Sequence, residues 1–217
     1  GNAMTVSYCA GTCDATCPTQ SSADLRITGI FDGDMSGGKP KGIELFASSD
    51  ISDLSIYSIQ QCNNGDPCGN TFTLSGSASA GSYLYITANT SEFTEYFGFD
   101  ADFYASSTNV NGDDAITLNN SADLSVVDMV GLVGLDGTGE DWEYKDGWGY
   151  RLDGSGPTSA FDVSEWTFCK GCLDNIGGNS NSLSDDPFPV GTFSTGPAAS
   201  CTDASDCDDS NDYTADS

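Results

Sequence analysis

The sequence predicts an all-β protein built as an antiparallel β-sandwich, and three observations predict it. From Asp24 to about residue 170, apolar residues recur with period two, as in strands that bury one face. Clusters of Gly, Asn, Asp and Ser interrupt these runs at intervals of roughly ten residues, the spacing of turns between short strands. Only residues 91–99, SEFTEYFGF, break the pattern, placing Phe93, Tyr96 and Phe97 on one side of a short helix.

Taken in order, Leu25, Ile27 and Phe31 alternate with Arg26 and Thr28, and Ile43 and Leu45 flank Glu44. Leu54, Ile56, Tyr57 and Ile59 mark a third strand, and Phe72 and Leu74 a short fourth. Leu84, Ile86 and Ala88 face away from Tyr83 and Tyr85. Ile116 and Leu118 follow the turn-prone Asn111-Gly112-Asp113-Asp114, and Val126, Val127 and Val130 come next. Trp142 and Tyr144, then Tyr150 and Leu152, bracket KDGWG and predict a hairpin. Trp166 and Phe168 form a last strand.

Four regions follow: a Cys-rich arm over 1–22, a sandwich over 23–175, an extended Gly/Ser/Pro linker over 176–200, and an acidic Cys-containing tail over 201–217. The abrupt polar ending predicts that the natural chain continues, and the opening GNAM reads as a processed terminus or a remnant of expression.

Charge narrows the function classes. Six basic and 33 acidic residues leave a net charge of −27, which repels phosphate backbones and anionic membranes, so neither nucleic acid nor membrane insertion is expected. Calcium or a cationic partner suits such a surface, as does simple solubility. The chain has no histidine, which removes Ser-His-Asp and Cys-His catalysis and His-ligated metals. Its nine cysteines, Cys9, Cys13, Cys17, Cys62, Cys68, Cys169, Cys172, Cys201 and Cys207, sit in separate loop-like surroundings and predict disulfides, hence a secreted or cell-surface protein. The rival is a zinc site using Cys169 and Cys172 with another pair. Cys62 and Cys68 are expected to close a small loop, while Cys169 and Cys172 either bond each other or staple the N-terminal arm. The odd cysteine leaves a thiol for a partner outside the chain. Asn89 and Asn119 begin Asn-x-Ser/Thr acceptors for glycosylation.

Several carboxylate clusters invite a site. Asp32 and Asp34, in FDGDMSGG, supply two calcium oxygens, with Glu44 a third if the hairpin folds back. The plainer expectation is a hairpin whose glycines take positive φ and whose acids stay solvated. Asn111-Gly112-Asp113-Asp114 reads as a turn capping a strand. Asp136, Glu140 and Asp141 beside Trp142, Tyr144 and Trp148 suggest a carbohydrate platform or a glycosidase pair, against core packing of the rings. Asp203, Asp206, Asp208, Asp209, Asn211, Asp212 and Asp216 form the densest acidic cluster and the best calcium candidate, against a solvated tail.

The ordered set LRITGI, KGIELF, DISDLSIYSI, AGSYLYITAN, VNGDDAITLNN, SVVDMVG, GTGEDWEYKDGWGYRL and SEWTF, over about residues 24–175, resembles the lamin-tail-type domain. The resemblance implies an immunoglobulin-like sandwich. The acidity and cysteines favour the branch found on secreted and surface proteins, where the domain is usually a non-catalytic attachment or assembly module. The tail over Cys201–Asp216 resembles Asp/Cys-rich segments of extracellular multidomain proteins, with Tyr213 where cysteine often stands. The expected function is therefore a non-catalytic structural or adhesive module, self-associating or binding other extracellular proteins, a subunit of a filament or surface assembly joined through its arms. The alternatives are a calcium-dependent carbohydrate-binding module that takes polysaccharide, and an accessory domain of a secreted hydrolase or nuclease.

Overall fold

A computed structural model describes residues 24–173 and 179–196. Among the described residues, ten strands form two sheets: β1 (Leu25–Met35), β2 (Lys39–Ala47), β3 (Tyr57–Cys62), β4 (Gly69–Thr73), β5 (Tyr83–Thr87), β6 (Phe103–Tyr104), β7 (Ala115–Asn120), β8 (Val126–Val130), β9 (Trp148–Arg151) and β10 (Trp166–Cys169). The larger sheet has the order β10-β9-β1-β2-β5-β6 and the smaller β4-β3-β7-β8. Every pairing is antiparallel except β5 with β6. That exception follows from α1 (Thr90–Phe97), which carries the chain back so that β6 runs parallel to β5. The helix buries Phe93 and Tyr96, and Gly98 ends it in the left-handed conformation, its N–H returning to Thr94 O.

The main core lies between the sheets. Leu25, Ile27, Ile30, Ile43, Leu45, Leu84 and Ile86 from the larger sheet meet Tyr57, Ile59, Ile116, Leu118 and Val130 from the smaller. A second, aromatic cluster lies on the opposite face of the larger sheet, where Phe31, Phe46, Tyr85, Trp148 and Tyr150 gather with Phe93 of α1.

A β-bulge decides which residues of β1 share a face. The register shifts between Ile27 and Gly29, so Leu25, Ile27 and Ile30 face the main core. Phe31, expected beside Leu25 and Ile27, therefore belongs to the aromatic cluster instead. Leu54–Ile56 is a single 3₁₀ turn capped by the Asp53 carboxylate, which accepts the Ser55 N–H, so the third strand starts only at Tyr57. The hairpin expected around KDGWG is absent. Trp142 lies in a turn and Tyr144 outside any strand, and β9 pairs with β1 and β10 rather than with them.

Within the stretch expected as a linker over 176–200, residues 179–195 carry no strand and lie against the aromatic face as a strap. Phe188 and Phe193 are buried there. The Phe188 ring packs edge-on to Phe31 and Tyr150, and Phe193 to Phe46. Gly29 makes the seat: a Cβ at that position would stand 2.4 Å from Phe188 Cζ. The Tyr83 hydroxyl donates to Phe193 O at 2.5 Å, and Trp148 Nε1 donates to Asp186 O at 2.9 Å.

Truncating a buried phenylalanine costs about 3–5 kcal/mol. Phe188→Ala is accordingly expected to undock the strap before the sandwich unfolds. Limited proteolysis checks this: faster cleavage within 179–195, at unchanged circular dichroism, is the expected result.

Candidate functional site

The structure separates the carboxylates that the sequence presents as sites. Asp32 is buried on β1 and faces its cross-strand partner Lys41, whose Nζ donates to Oδ1 at 2.5 Å. The expectation that this acid stays solvated at a wet hairpin tip is thus corrected: the turn lies at 36–38, beyond it. The Lys41 ammonium neutralises this carboxylate through its Oδ1. Asp34 follows on the same strand, half-buried. Glu44 does not fold back toward either. Among the described residues no group of three Cys, Asp or Glu side chains gathers to hold a metal ion. The acidic cluster at Asp203, Asp206, Asp208, Asp209, Asn211, Asp212 and Asp216 lies outside the described residues, as do Cys9, Cys13, Cys17, Cys201 and Cys207.

Of the two readings of the aromatics near residues 142–148, the rings take the core-packing one. Trp142, Tyr144 and Trp148 are 2%, 0% and 5% exposed, so none offers a face for a sugar to stack on. Tyr144 donates its hydroxyl to Asp114 O, and Trp148 is spent on the strap. Trp142 is clamped by glycines: a Cβ at Gly131 or Gly137 would strike its ring. Beside it opens a cleft of about 560 Å³ whose lining includes Phe161, Val163, Glu140, Asp141, Asp162 and Glu165. The lining acids suit a cationic group, although Asp162 is held below the usual carboxylate range by the Ser164 hydroxyl and N–H. Asp136 is likewise exposed and turned onto Thr138 N.

The remaining expectations divide. Cys62 bonds Cys68, and Cys169 pairs with Cys172. Asn119 is wholly buried on β7, its amide donating to Thr117, which leaves no room for a glycan. Asn89 is half-buried and accepts the Lys41 N–H through its side chain. In the 111–114 turn the Asp114 carboxylate accepts Asn111 N and Asn64 N, as a strand cap should.

The sequence did not announce the partners of three polar centres. The first is Glu44, wholly buried on the aromatic face of β2. Thr28 and Tyr150 donate hydroxyls to Oε1, at 2.7 and 2.9 Å. Tyr85 and the Gly191 N–H donate to Oε2, at 2.9 and 2.8 Å. The Tyr150 oxygen also accepts Thr192 N and Phe193 N from the strap. Burial pushes the Glu44 carboxyl above its ordinary range, opposed by these four donors. Burial and the Glu44 charge also raise both tyrosines, keeping them protonated as donors.

The second centre is Arg151 with Asp128, both fully buried. The guanidinium reaches Asp128 Oδ1 at 2.6 Å, Ile27 O at 2.7 Å and Gly156 O at 2.9 Å, and lies over the Trp166 ring. Asp128 Oδ2 accepts the Ile27 N–H, so this pair satisfies the backbone at the β1 bulge. The third centre is Lys41 with Asp32. A sequence signal for both ion pairs does exist: only six cations occur, and Arg26, Lys41 and Arg151 are buried. In so acidic a chain, the rare basic residue flanked by apolar ones is the candidate for an internal partner.

No protein family, curated protein or solved structure matches this chain. No helix among the described residues is long and apolar enough to cross a membrane.

Removing one partner of a buried ion pair costs about 3–5 kcal/mol. Arg151→Met is expected to show that loss in urea unfolding, and the double variant with Asp128→Leu is expected to lose clearly less than the sum of the two single losses. An additive loss in the double variant would show that the two groups do not act as a pair.

Glu44 sets a pH dependence. Its folded value lies above its unfolded value, so its protonation contributes stability that is complete below the ordinary glutamate range. That contribution disappears as pH rises through the folded value. The urea midpoint of the wild type, measured against Glu44→Gln, is therefore expected to fall as pH increases from about 4. A relative midpoint that rises instead would reverse the assignment.

Proposed function

We propose that this chain is a non-catalytic structural or adhesive module of an extracellular protein, acting through its surfaces and flanking segments. The observation that supports it most is how the interior polar groups are spent. Glu44, Asp128, Asp32, Asp114 and Glu143 each take their hydrogen bonds from the fold itself. They tie strands, turns and strap together. The two-sheet core and the disulfides accord with an immunoglobulin-like domain of the lamin-tail type on a secreted or surface protein, a reading that rests on the order of sequence motifs.

In this reading copies associate with one another or with other extracellular proteins through the segments that flank the sandwich. The Asp-rich tail supplies calcium ligands to those junctions. Electron microscopy of the native material, with and without a calcium chelator, tests it. Fibres or layers that disperse on chelation are expected. Monodisperse particles at high concentration with calcium present would overturn the assembly role.

A further inference from the structure

The Lys41 centre holds more than an ion pair. Lys41 and Asp32 side chains are 8% and 4% exposed, and the lysine nitrogen has three acceptors. Besides Asp32 Oδ1, these are Val110 O at 2.6 Å and the side-chain carbonyl Oδ1 of Asn111 at 3.3 Å. A buried amine, a carboxylate and a carboxamide thus converge on one nitrogen. They come from β2, β1 and the loop before β7 respectively, so the amine and the carboxamide are 70 residues apart in the chain.

The surroundings hold this arrangement. Asn111 is fixed by its own N–H on Asp114 Oδ2, and Gly112 O accepts the Tyr144 N–H. Gly112 has φ +84°, and a Cβ there would fall 2.1 Å from Lys145 Cα, so the turn admits only glycine. At the hairpin tip, a Cβ on Gly38 would stand 3.2 Å from both Asp32 Oδ1 and Lys41 Nζ, so this glycine closes over the pair. Asn111 itself is exposed, which gives a leaving group a route to water.

From this geometry we propose that Lys41 and Asn111 form an intramolecular isopeptide bond, with Asp32 as the proton shuttle. Lys41 Nζ already lies 3.3 Å from Asn111 Oδ1, the oxygen bonded to Cγ, and holding amine and carboxamide together converts a slow encounter into a unimolecular step. Burial raises the Asp32 carboxyl and favours passing a proton from the ammonium to it. The freed amine lone pair then attacks Asn111 Cγ, forming the Nζ–Cγ bond. Asp32 returns its proton to Nδ2, the Cγ–Nδ2 bond breaks, and ammonia leaves. The carboxylate next removes the second proton from Nζ and passes it to the departing ammonia. The products are one secondary amide, one ammonium ion and the original Asp32 carboxylate, with nothing oxidised or reduced. Asp32 serves as the shuttle rather than the acyl donor because the next carboxylate, Asp114, already accepts the Asn64 and Asn111 N–H groups.

Mass spectrometry of the full chain, reduced, alkylated and denatured, tests the bond. The expected mass is short of the sequence by one ammonia. Cleavage after glutamate separates residues 1–44 from 96–140, and these are expected to emerge as one branched peptide. Asn111→Ala, at an exposed position, is expected to keep the circular dichroism spectrum and regain the full expected mass. Asp32→Asn is expected to leave the peptides separate. A full-mass wild type with separate peptides overturns the proposal. So does loss of water with Lys41 joined to Asp32, or loss of ammonia that persists in Lys41→Met, which would mark a succinimide at Asn111-Gly112.

Discussion

A carboxylate without a cationic partner organises the larger sheet. Glu44 is wholly buried, and an ionised carboxyl in such a place survives only if donors replace the water it has lost. Those donors come from β1 (Thr28), β5 (Tyr85), β9 (Tyr150) and the strap (Gly191). Each must hold its position or leave the charge underserved. The neighbouring strands and the strap are thereby locked to one register. Tyr150 extends the lock, since its oxygen accepts the next two strap N–H groups. The aromatic rings around it exclude water, which strengthens each bond and raises the cost of losing any one.

The smaller number of cations is used in the same economical way. With a net charge of −27, the surface carries strong self-repulsion, and a basic side chain in solvent would relieve it. Instead Arg151 and Lys41 lie inside, each holding a carboxylate, with two backbone carbonyls on Arg151 and one on Lys41, where regular pairing fails. Arg151 and Asp128 serve the bulge of β1, and Lys41 and Asp32 serve the loop that precedes β7. These irregular points leave backbone groups unpaired inside the protein, and a charged side chain satisfies several at once. The same crowding of amine, acid and amide around Lys41 is what makes covalent closure there chemically reasonable.

The coverage of the larger sheet bears on the proposed module. Its inner face meets the smaller sheet, and its outer face is covered by α1 and the strap. A sheet covered on both faces has no exposed aromatic platform to present to a sugar or peptide. In the proposed module, recognition falls to loops, edges and flanking segments.

Much of this was legible in the sequence. Period-two runs located most strands, Phe93 and Tyr96 announced α1, and the short Cys62–Cys68 spacing announced its disulfide. These features depend on neighbours within a few residues, which a local pattern records. What the pattern lacked was the bulge at Thr28 and Gly29, which reassigns Phe31, and the burial of Asp32. It also gave no sign that a Gly/Ser/Pro-rich stretch docks through Phe188 and Phe193. Alternation tells which residues share a face of a strand but not whether that face is covered, or by what. The bond from Gly191 to Glu44 spans 147 residues, and no local spacing encodes such a partner. The sequence by itself determined the strands, their turns and the electrostatic class. Only the tertiary structure decided which charges went inside, because that choice depends on donors brought together from distant parts of the chain.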